Sequence, residues 1–155
     1  MADLFEFISP TDQPALIGLS TPEWMARSRS ALVELNYKVH VSANQEDFID
    51  RFNRVHYQVV MIEELFACTS YQENRAICEL QRMSMAQRRH AAIILLGNSF
   101  ESLNAMQAFQ QSVHTVVGGA EIGSIKPIIQ KTVAENDLFL QGLRDTLMQI
   151  TTWGK

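Results

Sequence analysis

Cysteine is scarce. Cys68 and Cys78 are the only two in 155 residues, too few to staple a secreted scaffold, so reduced thiols in a cytoplasmic chain are the simplest expectation. Together with His56 and His90 they supply residue types that bind zinc, but the spacing matches no C-x2-C or H-x3-H grouping, and no metal or cofactor is expected. Charge is also thin, at 19% of residues with a net of −4. An acidic surface repels a phosphate backbone unless a basic patch compensates. The one tight basic cluster, Arg82, Arg88, Arg89 and His90, is small, so nucleic acid is a poor default partner. There is no apolar run of ~20 residues to span a bilayer, and MADLFEFISP carries acids where a signal peptide carries bases. Internal repeats and low-complexity segments are missing as well.

What is present is a core. Hydrophobic residues make up 46% of the chain, enough for one globular domain of this length. The stretch Val59-Val60-Met61-Ile62 has four bulky apolar residues in a row and suits a strand buried on both faces of a parallel sheet. Glu63 and Glu64 follow it at once, at the end where open α/β sheets place their ligands and chemistry.

Around that strand the pattern alternates. Residues 1–14 form an arm with Leu4, Phe5, Phe7 and Ile8, expected to lie on the domain outside its sheet. Ala15 to Leu19 is a first strand, and Ser20-Thr21-Pro22-Glu23 reads as a helix start. That helix runs to about Leu35, with Trp24, Ala31 and Leu32 inward and Asn36 as a left-handed stop. Tyr37 to Val41 is a second strand; Ser42 and Asn44 offer caps for a helix that packs through Phe48, Ile49 and Phe52. A third helix carries Ala76, Ile77, Leu80 and Met83, and Ala91 to Leu96 is a fourth strand. Gly97-Asn98-Ser99 is expected to cap a fourth helix with Leu103, Met106 and Phe109 at helical spacing. Val113 to Val117 forms a fifth strand, ended by Gly118-Gly119, and a final helix starts between Glu121 and Ser124. Pro127 favours the later start or a kink. Five strands alternating with five helices imply a doubly wound α/β parallel sheet.

The passages ALIGLSTPEWMARSRSALVELNYKV, HYQVVMIEEL, AAIILLG and VHTVVGG resemble, over roughly residues 15–135, the receiver domain of bacterial response regulators, the CheY-like signal-transduction modules of two-component systems. A tighter likeness, through LQRMSMAQRRHAAIILLGNSFESLNAMQAFQQSVHTVV, is to divergent receiver-like modules sometimes joined to a zinc ribbon; no paired-cysteine ribbon is present here. The resemblance implies a flavodoxin-like three-layer αβα sandwich, strand order 2-1-3-4-5. It also implies an acid pair after the first strand, a phosphoacceptor aspartate after the third, a Ser/Thr after the fourth and a Lys-Pro after the fifth. Carried across by position, the acid pair falls on Leu19 and Ser20, and the acceptor on Glu63. The hydroxyl falls on Leu96 or Gly97, the Lys-Pro on Gly118 and Gly119, and an aromatic switch position near Thr115. Divalent cations require several carboxylate oxygens, and phosphoryl transfer requires cationic partners. The resemblance therefore implies a pseudo-receiver, not an enzyme.

Alternatives stand beside this. Glu63 is either a fixed mimic of a phosphorylated aspartate or a solvated acid at a strand end, and the lack of a lysine at position 118 favours the second. Neither cysteine is ordered beside a base, and His40 and His114 fall on strands as structural residues. A small-ligand or nucleotide site could use the rim of Ser20, Thr21, Glu63, Glu64, Asn98 and Gly118. A nucleic-acid contact would use Arg82, Arg88 and Arg89.

The C-terminus exceeds what the resemblance accounts for. Ile129, Val133, Asn136, Leu140, Leu143, Leu147 and Ile150 alternate steps of four and three, a heptad-like seam, with Phe139 and Trp153 adding apolar surface. Residues 136–155 are thus expected to extend the last helix, either folding back or serving self-association or docking. From Ser99 to Ser112 the only charge is Glu101. Phe100, Leu103, Met106 and Phe109, with Leu140, Leu143, Leu147 and Ile150, are the expected protein-contact surface.

Overall fold

A computed structural model describes residues 8–88 and 90–153. The apolar runs become five parallel strands: β1 Pro14–Gly18, β2 Lys38–Val41, β3 Val59–Glu63, β4 Ala92–Leu96 and β5 Thr115–Val117. Their order is β2-β1-β3-β4-β5, a flavodoxin-like sheet. β3 lies at its centre, in register with β1 (Ala15 opposite Val59, Gly18 opposite Ile62) and with β4 (Glu63 opposite Leu96). Every residue of β1, β3, β4 and β5 is buried. Continuous apolar runs are the mark of strands covered on both faces.

The helices that cover them are α1 Pro22–Glu34, α2 Gln45–Arg54, α3 Arg75–Arg82, α4 Ala105–Gln111 and α5 Ile125–Trp153, with a single helical turn at Met85–Arg88. Alternation along each strand divides the core in two. Ile17, Met61, Ile94 and Val117 pack with Trp24, Leu32, Ile125 and Ile129 of α1 and α5. Leu16, Val60, Ile93, Leu95 and Val116 pack with Phe48, Phe52, Ile77 and Leu80 of α2 and α3. Two signals read from the sequence act as expected. Asn36 holds φ 68° after α1, and the Asn44 side chain accepts the Asp47 N–H at 2.8 Å to cap α2.

The fourth helix departs from expectation. It begins at Ala105, capped by Asn104, not at Ser99, and Leu103 sits before it with φ 64°. The reason is the open edge of β5. Leu103 N–H donates to Val116 O at 3.0 Å, and the Ser102 hydroxyl accepts from Gly118 N–H at 2.8 Å. Segment 99–104 is spent on covering that edge, which a sheet otherwise leaves unpaired. The last helix starts at Ile125, after a tight turn over Gly119–Ser124. Pro127 therefore falls in its first turn, where its missing N–H costs nothing.

Residues 1–7, with Leu4, Phe5 and Phe7, lie outside the described residues, as do Arg89 and the Trp153 side chain. No helix among the described residues is long and apolar enough to cross a membrane.

Candidate functional site

The C-terminal ends of the strands carry Leu19-Ser20, Glu63-Glu64, Leu96-Gly97 and Gly118-Gly119. Leu19 and Leu96 belong to the core. The polar groups beside them are bonded to one another.

Glu63 is neither solvated nor directed at position 118. It is only 6% exposed, and its Oε1 accepts from the backbone N–H groups of Ser20 at 3.2 Å and Thr21 at 2.9 Å. Those amides open α1, and a carboxylate there meets both unpaired donors and the positive end of the helix dipole. Thr21, at the cap position, makes no side-chain cap bond of its own. The cap anticipated from Ser20-Thr21 is thus supplied from β3. Ser20 turns the other way, its hydroxyl accepting the Ala67 N–H at 2.8 Å.

Glu64 closes the next gap. Its Oε1 accepts the Ser99 N–H at 3.2 Å and lies only 2.4 Å from where a side chain at Gly97 would begin. Asn74, fully buried, fixes both glutamates from below. Its amide donates to the carbonyls of Glu63 and Glu64, each at 3.0 Å, while its Oδ1 accepts the Ile77 N–H and caps α3. Nothing in the local sequence marks Asn74 as more than a helix cap; its second role depends on the fold.

The glycines at the end of β5 are enforced sterically. A Cβ on Gly118 would stand 2.7 Å from the Phe100 carbonyl oxygen, and one on Gly119 would stand 2.1 Å from the Trp24 indole. Trp24, buried on α1, fills the space beside Gly119 that a longer side chain would need. Among the described residues the strand ends therefore carry no side-chain cation, and the Phe100 carbonyl and the Trp24 indole crowd positions 118 and 119 against one.

The other candidate groups are dispersed. Cys68 and Cys78 are free and half-buried. Burial pushes the Cys68 thiol up, and the Glu73 carboxylate adds to this, which disfavours the thiolate. No group of three or more His, Cys, Asp or Glu able to hold a metal occurs among the described residues. Arg82 is exposed near Glu79 at 3.9 Å, whereas Arg88 is buried and donates to Ser112 O at 2.9 Å, so these two arginines do not share a surface. His114 Nδ1 accepts the Ile93 N–H at 3.0 Å, and its Nε2 meets Asn136 Oδ1 at 3.1 Å. Accepting at Nδ1 places the proton on Nε2. His40 Nδ1 meets the Tyr57 hydroxyl at 2.8 Å.

His90, counted in sequence with the basic cluster, is partly buried. Its ring stacks on His56 with centroids 4.0 Å apart, and both its nitrogens are buried without a hydrogen-bond partner among the described residues. Burial, then the neighbouring His56, pushes it down to about 4. The pair stands at the N-terminal end of the sheet, opposite the rim.

The expected contact residues separate into two sets. Met106 and Phe109 on α4 are 64% and 81% exposed, while Phe100 packs partly into the core. On α5, Ile129 and Asn136 are buried and Leu140 half-buried, and every residue from 141 to 150 is exposed. The helix is unbroken through this change.

No protein-family model matches the chain, and no curated protein matches it. Solved structures do. A CheY-like response regulator receiver domain protein from Methanospirillum hungatei superimposes with TM-score 0.62 at 10% identity, covering 82% of this chain and 98% of its own. A response regulator from Hahella chejuensis gives 0.60 at 14% identity, covering 81% and 98%. The signal receiver domain of a LuxO repressor protein from Vibrio parahaemolyticus gives 0.62 at 10%, covering 82% and 94%. At such identity the likeness is one of fold: this chain has the CheY-like architecture with a long C-terminal helix.

Proposed function

We propose that this chain is a pseudo-receiver: a non-catalytic signalling or scaffolding module that works through protein contact and needs no phosphorylation. Its structural neighbours include response regulators, with which it shares the receiver fold. The observation that carries it is the internal consumption of the rim. Glu63, at the phosphoacceptor position, spends its carboxylate on α1, and Gly118 and Gly119 stand where a lysine and proline would be, under Phe100 and Trp24. A phosphoryl group at Glu63 would find one carboxylate oxygen already bonded to two backbone donors and no lysine at 118 to balance its equatorial charge.

Glu63 on this reading is a structural cap, not a phosphomimetic. The rim of Ser20, Thr21, Glu63, Glu64, Asn98 and Gly118 offers a small ligand few free backbone donors, because the Ser20 and Thr21 N–H groups go to Glu63 and the Gly118 N–H goes to Ser102. Contact falls instead to Leu103 and to Met106 and Phe109 of α4, and to α5, through Leu140, Leu143, Leu147 and Ile150. Residues 136–155 act as an interaction extension of a domain spanning 15–135.

Acetyl phosphate with Mg2+ tests the central statement. Intact mass after incubation should show no acyl-phosphate adduct; a stoichiometric adduct on Glu63 would overturn it.

A further inference from the structure

We infer that the cavity at the foot of β5 binds a small aromatic carboxylate, with the carboxylate on Arg88 and the ring against Ile93, Phe109 and Val113. The cavity measures about 500 Å3, within the usual range for small-molecule sites. It opens between the C-terminal end of α4 and the entry into β5, at the edge of the sheet and away from the rim. Ile93 stands on β4, Phe109 and Gln110 on α4, and Ser112 to His114 lead into β5. The apolar wall is fixed by the core, since Ile93 is buried and Val113 packs against the same cluster. Phe109 is the opposite case. It lines the cavity and is 81% exposed, so its ring gains most from a guest that covers it.

Charge selects the guest. Arg88 lines the cavity and no acid does. It is 9% exposed and held in place, its Nη1 donating to Ser112 O at 2.9 Å. Ser112 takes the left-handed conformation, φ 58°, that ends α4. A guanidinium carries five N–H donors in a planar fork, and the Ser112 carbonyl accounts for one of them. A carboxylate matches such a fork with two parallel bonds, each roughly twice as strong as a neutral one, so it competes well against any neutral partner. His114 adds no second cation. Its Nδ1 accepts the Ile93 N–H, which leaves the ring neutral, and its Nε2 meets Asn136. One cation matches one negative charge. A phosphate monoester, at about −1.5 to −2, would be only partly balanced against apolar walls. An uncharged aromatic would gain the walls and forgo the fork.

An amide NMR titration of the full chain with naphthalene carboxylate reads the outcome. Shifts at Ile93, Ser112, Val113 and His114 should saturate with a Kd below about 1 mM, while Ser20 and Thr21 at the rim stay in place. Naphthalene carboxamide, which keeps the ring and drops the charge, should bind at least about tenfold more weakly. Phe109→Ala should weaken the carboxylate by about threefold or more with an unchanged circular dichroism spectrum. Arg88→Gln should remove the preference for carboxylate over carboxamide. Because Arg88 also holds Ser112, the carboxamide comparison and Phe109→Ala keep the test decisive if that variant unfolds. No saturable shift up to about 10 mM, equal affinity for acid and amide, a folded Arg88→Gln chain that retains the preference, or a Phe109→Ala chain that binds like the wild type would each overturn the proposal. None of these results moves the acetyl phosphate assay, so failure here is distinguishable from failure of the pseudo-receiver reading.

Discussion

The rim of the sheet and the far half of α5 are built on opposite terms. At the rim, Glu63, Glu64, Ser20 and Asn74 are polar groups whose partners lie elsewhere in the same chain. On α5 from residue 141 to 150, by contrast, Leu143, Leu147, Met148 and Ile150 are apolar and exposed. The first region spends chemistry on folding; the second leaves surface that folding does not use. A binding module is expected to look like this, because internal satisfaction removes reactivity while uncovered apolar area invites association.

Breaking the rim should cost most. Asn74→Ala removes the cap of α3 and the amide donor to the Glu63 and Glu64 carbonyls, and is expected to lower stability by about 3 kcal/mol in urea unfolding. Gly119→Ala comes next. Its methyl would meet the Trp24 indole, and overpacking of this kind costs about 1–3 kcal/mol; Trp24→Leu in the same chain should recover part of the loss.

A pH series probes His90, at the other end of the sheet from the rim. His90 is held at about 4 against an ordinary 6.5, so the folded chain resists a proton that the unfolded chain accepts. That contribution is full above pH 6.5 and is lost as pH falls toward 4. With solvent screening it amounts to about 1–2 kcal/mol. His90→Phe, which keeps the stacking on Phe52 and His56, should flatten the decline in urea midpoint between pH 7 and 5. An unchanged decline would show that His90 is not its source.

The smallest effect belongs to the open surface. Met106→Lys and Phe109→Ser on α4 are expected to change stability by less than about 0.5 kcal/mol. If either costs several times that, the exposed flank is part of the core and the contrast with the rim weakens.

Much of this molecule was legible in its residue order. Continuous apolar runs at β1, β3 and β4 named a two-sided parallel sheet, because only strands covered on both faces lack alternation. Asn36 and Asn44 marked a helix end and a helix start by local chemistry that needs no tertiary partner. That positions 19 and 20 carry leucine and serine, and position 118 glycine, was visible letter by letter. What the letters left open was direction. Glu63 looked solvated, and only the sheet register that sets β3 beside β1 turns it onto the α1 amides 42 and 43 residues away. Segment 99–104 carried helix signals and instead covers the edge of β5, because unpaired strand groups outweigh a weak local propensity. The apolar stripe of α5 reads the same from end to end in sequence. Only the size of the sheet beneath it determines where packing stops and exposed surface begins.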